Sequence, residues 1–277
     1  MPWAILLLVI ALTVALYFLL YGTTQAQIAA LQNGTASGGP QQTESQLRQQ
    51  LLQLRPAAMM QFGLGIVGGV GAVVLIVLTA SVFGSEFNWG TLRVILALGA
   101  GRERFLGAKY IAIALYALVL TAFGAIAAFA SSEIVGRLAS LDASLPENFG
   151  LRAAEAVATT TFTFLPYIAL AAFIAVWAKS GSAGIAIGLI AYFAEGIVMS
   201  LLVAFNKDLA PIADFGLSRN ATALNSLYDL PADTPGAGAQ GAPLPDATHA
   251  AIVLLAYTVL FVGLALWRFR GRDVTSG

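Results

Sequence analysis

Six stretches of this 277-residue chain run for roughly twenty residues each with no lysine or arginine in their interiors: 3–21, 62–83, 110–130, 156–178, 182–204 and 247–267. A bilayer core about 30 Å thick is crossed by about 20 apolar residues in helical form, so each stretch is long enough to span. Charged side chains make up only 10% of the residues, against about 25% in soluble domains. The fold class that follows is all-α: a polytopic membrane protein whose residues 1–277 form a single transmembrane domain of six helices. Its loops are 22–61, 131–155 and 205–246 on one side and 84–109 on the other. The first stretch has no Lys or Arg before it and is long for a signal-peptide core, so it is expected to remain as an uncleaved span.

The few charges orient the chain. If 84–109, 179–181 and 268–277 face the cytoplasm, that side carries Arg93, Arg102, Arg104, Lys109, Lys179, Arg268, Arg270 and Arg272, eight of the 14 Lys and Arg, on much the shorter share of loop. The positive-inside rule then places both termini in the cytoplasm of a cell carrying the chain in its plasma membrane. Basic and acidic residues balance at 14 each, which argues against a nucleic-acid partner. With zero cysteines and one histidine, His249, thiolate and ordinary zinc sites are excluded, and no metal or cofactor is expected in this chain.

Between the spans, 32–46 reads as a Gln-, Gly-, Ser- and Thr-rich linker. It leads into a short helix opened by Thr43 and Gln46 as a capping box and carrying Leu47, Leu51 and Leu54 on one face before Pro56. Ile134, Leu138 and Leu141 repeat that spacing in 131–155. Both read as helices on the outer membrane surface or packed on the protein itself. The stretch 231–245, rich in Pro, Gly and Ala, reads as flexible. Gly63, Gly65 and Gly68 satisfy G-x-G-x-x-G, but that fingerprint binds a dinucleotide only between a strand and a helix. Here it opens a span, where Gly65 and Gly69 suit close helix packing instead.

Residues 84–109, GSEFNWGTLRVILALGAGRERFLGAK, form the longest cytoplasmic stretch. Trp89, Leu92, Ile95 and Leu96 predict an amphipathic helix over 86–98, ended by Gly99 and Gly101. Arg102, Arg104 and Lys109 follow at the start of the third span, where lipid head groups attract them.

This stretch resembles the permease subunit of type-2 ATP-binding-cassette (ABC) transporters, the exporter-like class. The matching residues are Glu86, Gly90, Thr91, Leu92, Leu96, Arg102, Arg104 and Lys109, with Gly99-Ala100-Gly101-Arg102 where that family often has Pro-x-Ser-Arg. The ending Trp267-Arg268-Phe269-Arg270-Gly271-Arg272-Asp273 is similar to that family's aromatic-Arg-Arg-Asp ending. The resemblance covers the six-span layout, with specific motifs over about forty residues. Members usually begin with a cytoplasmic elbow helix; this chain enters the membrane at Trp3 without one, so either the start is truncated or misassigned, the reading preferred being truncation, or this member lacks the element. What the resemblance implies is a non-enzymatic permease subunit that forms the translocation pathway for export and pairs with a second permease subunit, identical or homologous. Two copies of an ABC ATPase subunit would bind ATP and Mg, since this chain has no G-x-x-x-x-G-K-[ST] loop. Glu86, Trp89, Gly90, Thr91, Arg93, Arg102 and Arg104 would then couple to the ATPase.

Glu195 is the only acidic or basic residue deep inside a span, and such a carboxylate usually faces protein or water. The same depth in the fourth span falls near Pro166 and Tyr167, and Pro166 leaves the Phe162 carbonyl without its helical donor. A protonated Glu195 donating to Tyr167 or to that carbonyl would join the two spans; alternatively Glu195 lines the pathway. Thr159, Thr160, Thr161 and Thr163 are expected to bond back to helix carbonyls, and His249 to be a surface residue. An intramembrane hydrolase built on Ser182 and His249 fails because the topology puts them at opposite membrane faces. The alternatives left open are an ion-driven secondary transporter, for which only Glu195 speaks, and a non-transporting assembly or signalling factor on the same scaffold. Membrane lipids surround any of these.

Overall fold

The computed structural model describes residues 2–33, 63–89, 101–138, 145, 147–228 and 243–270. Among the described residues every regular element is helical. Helix α1 is Pro2–Gln32. A helical stretch from residue 63 passes through one π-helical turn, Val67–Gly71, into α2, Ala72–Trp89. Helices α3 (Arg102–Leu138), α4 (Phe149–Ala178) and α5 (Gly181–Phe205) follow. Two short helices, α6 (Ala210–Ala213) and α7 (Leu217–Asn225), sit among single 3-10 turns at Lys207–Leu209 and Ser226–Tyr228. Helix α8 is Ala247–Arg270.

Among the described residues five helices are long and apolar enough to cross a membrane: Gly63–Ser85, Glu103–Ile134, Phe149–Ala178, Gly181–Phe205 and Ala247–Arg270. The chain is an integral membrane protein. These five cover the expected spans two to six. The first expected span, 3–21, lies within α1, only some of whose side chains are described, and it is not one of the five. Helices are the form such segments take because lipid offers no partner to a backbone N–H or C=O. Their outward faces carry side chains such as Ile111, Ile190, Ile197 and Val259, each more than half exposed, an apolar surface suited to hydrocarbon rather than water.

Several boundaries differ from the sequence reading. Helix α3 runs on to Leu138 without a break, so Ile134 and Leu138 extend a span instead of forming a separate surface helix, and Leu141 lies outside the described residues. The reason is local: the Ser131 and Ser132 hydroxyls donate to Ala127 O and Phe129 O at 2.7 Å each, so polar side chains are satisfied within the helix and nothing stops it. Helix α4 begins at Phe149 rather than 156, immediately after Asn148, whose φ of 62° turns the chain sharply; Asn tolerates that left-handed conformation better than most residues. The linker 32–46, beyond residue 33, and the helix expected at Leu47, Leu51 and Leu54 lie outside the described residues, as does 231–245 up to residue 242.

The chain divides into two compact units. The first comprises Met1–Val67, Leu120–Val157 and Tyr228–Pro235. Its core joins Leu64, Ala125 and Ala156, with Phe149, Ala153 and Val157 packed alongside. Phe129 and Phe149 lie 5.4 Å apart between ring centres. Gly124 leaves room for the Val67 side chain, which a Cβ there would strike.

The second unit comprises Gly68–Val119, Ala158–Leu227 and Gly236–Gly277. Its core includes Ile76, Tyr167, Ala171, Leu217, Ala223, Leu224, Ala250 and Leu254, contributed by α2, α4, α7 and α8. Close helix packing on glycine occurs in this unit, whereas among the described residues a Cβ added at Gly65 or Gly69, the pair the sequence pointed to, would meet nothing within 4 Å. Instead Gly184 faces Ala80 and Ala175, both 2.9 Å from its added Cβ, and Gly188 faces Ile76 at 2.9 Å. At Gly84 an added Cβ would fall on the backbone of Gly181. The turn into α5 is built from Lys179 at φ 56° and the Ser180 N–H bonded to Ala175 O at 3.2 Å, the six-to-one closure of a Schellman motif. Ser180 also caps α5 by accepting from Ala183 N.

Candidate functional site

Two places in the second unit gather the polar residues that could carry a function. One is the pair of helix ends that bracket residues 90–100. Glu86 and Trp89 belong to the last turns of α2, which runs on past the candidate span Gly63–Ser85 without a break. The opening residues of the expected 86–98 helix are therefore the end of the span helix itself. Gly90, Thr91 and Arg93 lie outside the described residues. Arg102 opens α3 and Arg104 is exposed.

Lys109 draws these helix ends together. Its Nζ donates to Val82 O at 2.7 Å and lies 5.5 Å from the Phe83 ring centre and 4.8 Å from that of Phe105. A cation over two aromatic faces with a carbonyl to bond keeps its charge without full hydration. The α3 start is also joined to the α8 end by an ion pair, Arg270 Nη2 to Glu103 Oε1 at 2.6 Å. Both partners are more than half exposed, so the pair contributes about 1 kcal/mol at most. Lys109 and Arg270 are thus drawn into contacts with α2 and α3, roles that their basic character alone did not show.

The second place is Glu195. Its carboxylate does not bond to Tyr167 or to Phe162 O, as the sequence reading proposed, and Tyr167 instead packs edge-on to Tyr192 at 5.0 Å in the buried core. Glu195 accepts from the Ser218 N–H at 3.2 Å (Oε1) and 3.1 Å (Oε2), and from the Ser218 hydroxyl at 3.1 Å. Ser218 is the second residue of α7, and the N-cap, Gly216, has no side chain with which to cap it. Glu195 therefore supplies from another helix the acceptor that the helix start lacks. Its negative charge also suits the positive end of the α7 dipole. The contact expected to join spans four and five through Glu195 is not made: Glu195 is an acceptor, and its partner is Ser218 of α7.

Around Ser218 a polar cluster is built from residues that the sequence reading passed over. Arg219 donates through Nε and Nη2 to Asp214 Oδ1 at 3.0 and 2.8 Å and through Nη2 to Pro243 O at 2.8 Å. Asn220, fully buried, donates to Asp214 O at 2.7 Å and Gly216 O at 2.6 Å, while its Oδ1 has no partner among the described residues. His249, expected at the surface, is half-buried and partnered: its Nε2 lies 3.1 Å from Asp214 O, and its ring meets Phe215 edge-on. Of the threonines, Thr163 bonds back to Thr160 O at 2.8 Å as expected, whereas Thr160 reaches Asn225 Oδ1 at 3.4 Å. The available signal was Asp214, Arg219 and Asn220 interleaved with Leu217 and Leu224 at i and i+7, a half-polar helix inside a segment read as loop. Just ahead of α8, Asp246 Oδ2 accepts from Thr248 N at 3.0 Å. That bond holds its carboxyl below the ordinary value of 3.8.

Among the described residues no cluster of three or more His, Cys, Asp or Glu side chains is assembled that could hold a metal ion. Residues 59–275 match the profile of a family described as protein of unknown function, DUF2705. The chain belongs to this family. The match covers every described element from residue 63 onward, both polar places included. No curated protein matches the chain.

Proposed function

We propose that this chain is the membrane-spanning subunit of an ATP-driven exporter of the type-2 ABC class, with α1 as the first of six spans. In this reading residues 84–109 face the cytoplasm, both termini lie on that side of the plasma membrane, and the opposite side holds 205–246. Two such subunits, identical or homologous, would enclose the pathway, and two copies of a separate ATPase would bind ATP and Mg.

The observation that carries the reading is the sequence pattern from Glu86 to Lys109, and the helix ends around it fit its mechanical demand. A segment that receives displacement from an ATPase must be held at its base, or the push is lost in loop flexing. Lys109 bonded to Val82 O joins the two helices at that base, and Glu103 paired with Arg270 extends the connection to α8. The ion-driven alternative is weakened because its one intramembrane carboxylate, Glu195, has its acceptors engaged by Ser218.

The test is copurification. The full chain expressed with a P-loop ATPase encoded in the same gene cluster is expected to bring it down, and Glu86→Ala with Arg102→Ala to reduce that recovery or uncouple hydrolysis. Maleimide labelling from outside the cell at Val94→Cys, the only cysteine in the chain, would place the segment on the wrong side and overturn the reading.

A further inference from the structure

Beyond Phe205 the chain does not stay at the end of α5 from which it leaves. Asn206 stops that helix in extended backbone, φ −149° and ψ 113°, and its Oδ1 accepts from Asp208 N at 2.9 Å to tighten the turn. From there the contacts step back along α5. Ala213 packs on Val203, with Ala210 and Met199 alongside. A Cβ at Gly216 would lie 2.6 Å from both Met199 Cγ and Glu195 Oε1, and Ser218 bonds to Glu195 itself. Glu195 lies ten residues before Phe205, about 15 Å of helical rise. The segment therefore runs beside the final turns of a helix long and apolar enough to cross a membrane.

Over this stretch the usual placement of side chains is inverted. Polar groups turn inward and are paired: Arg219 donates to Asp214 and to Pro243 O, Asn220 to Asp214 O and Gly216 O, and His249 Nε2 meets Asp214 O. The N–H groups of Leu209, Asp214, Phe215 and Gly216 are bonded within the segment, and Pro211 has none to satisfy. Outward stand Pro211, Ile212 and Phe215, the last two 61% and 59% exposed. A turn bathed in water keeps polar side chains outside; hydrocarbon requires the reverse. At the same depth α5 exposes Ile197, Val198 and Leu201. Helix contacts between proteins inside a bilayer favour small and hydroxyl-bearing residues. Pro211, Ile212 and Phe215 are none of these, so they suit acyl chains rather than a second copy of the chain.

We propose that residues 209–216 re-enter the membrane beside the final turns of α5, with Ile212 and Phe215 against lipid acyl chains. Asn206 and Asp208, both exposed, form the turn at the water boundary. This holds whichever side of the membrane α5 ends on, and with or without a role in export.

The chain has no cysteine of its own, so single cysteines carry a nitroxide label to chosen depths. Ile212→Cys and Phe215→Cys test the outward row. Ile190→Cys, 66% exposed within α5, marks lipid, and Asp208→Cys marks the boundary. In phosphatidylcholine vesicles holding the labelled full chain, relaxation by oxygen, which concentrates in hydrocarbon, is compared with relaxation by a water-soluble nickel chelate. Oxygen should outweigh the chelate at 212 and 215, as at 190, and the chelate should outweigh oxygen at 208. All four positions are exposed, so the labels displace no packed side chain, and 212 and 215 are read independently. A chelate effect that prevails at 212 and 215 would overturn the proposal, since the segment would then stand in water. Shielding of both positions from both reagents would overturn it equally, because a second copy of the chain would then cover them instead of lipid.

Discussion

At its Gly181 end α5 lies against α2 with almost nothing between the two backbones, whereas beyond Glu195 it holds its neighbours through hydrogen bonds and a few small apolar contacts. The first arrangement depends on the absence of side chains at Gly84, Gly181, Gly184 and Gly188. The second depends on the presence of particular polar atoms, on Glu195, Ser218 and Asn220. Backbone packing of the first kind is stiff, because neither partner has a rotamer into which to retreat. Polar docking of the second kind is specific but can be made and broken, since each group lost to one partner can be offered to water or another donor. One helix thus has an end held by backbone packing and an end held by polar docking.

The sharpest way to break this contrast is Gly84→Ala. Its methyl falls on the Gly181 backbone, so we expect a loss of about 3 kcal/mol, read by unfolding in mixed micelles. Gly188→Ala should cost clearly less, because the Ile76 methyl that it meets can move. Equal costs would mean that the α2–α5 contact is not backbone-limited. At the other end, Asn220→Ala removes the donors to Asp214 O and Gly216 O and should cost about 2 kcal/mol. Its signature is local: hydrogen exchange should rise in 214–225 and not in α2. Exchange rising equally in both would erase the distinction between the ends.

The smallest effect concerns Asp246. Its carboxyl is held below its ordinary value by the Thr248 N–H, so the carboxylate form favours the folded helix start. That contribution is present above pH 3.8, the ordinary value, and is lost as the pH falls through the lower folded value. Protection of the first turn of α8 should therefore decline in acid in the native chain, and Asp246→Asn should show no such acid step. A step of the same size in the variant would assign it to another group.

The spans were legible in the sequence because crossing a bilayer is a one-dimensional requirement: length and apolarity along the chain suffice, and 62–83, 182–204 and 247–267 appear as helices close to those limits. Glu195 was legible as an exception, since a carboxylate in such a run needs a partner. The partner was not legible. Tyr167 was the nearest polar side chain by depth, but depth says nothing about azimuth, and Ser218 lies 23 residues away along the chain in a segment with no span signal. Likewise, Gly65 and Gly69 had the spacing for close packing, and the packing occurs at Gly84 and Gly181, because spacing cannot tell which face of a helix meets another helix.

By itself, then, the sequence determined that this chain enters the membrane, that its long elements are helices, and that Glu195 must be satisfied there. Hydrophobicity and backbone hydrogen bonding act locally and leave no alternative. Only the tertiary structure decided which glycines carry a helix contact, that Lys109 joins two helix ends, and that Glu195 caps α7. Each of those depends on atoms far apart in sequence meeting within about 3 Å, the range over which a hydrogen bond or a steric collision acts.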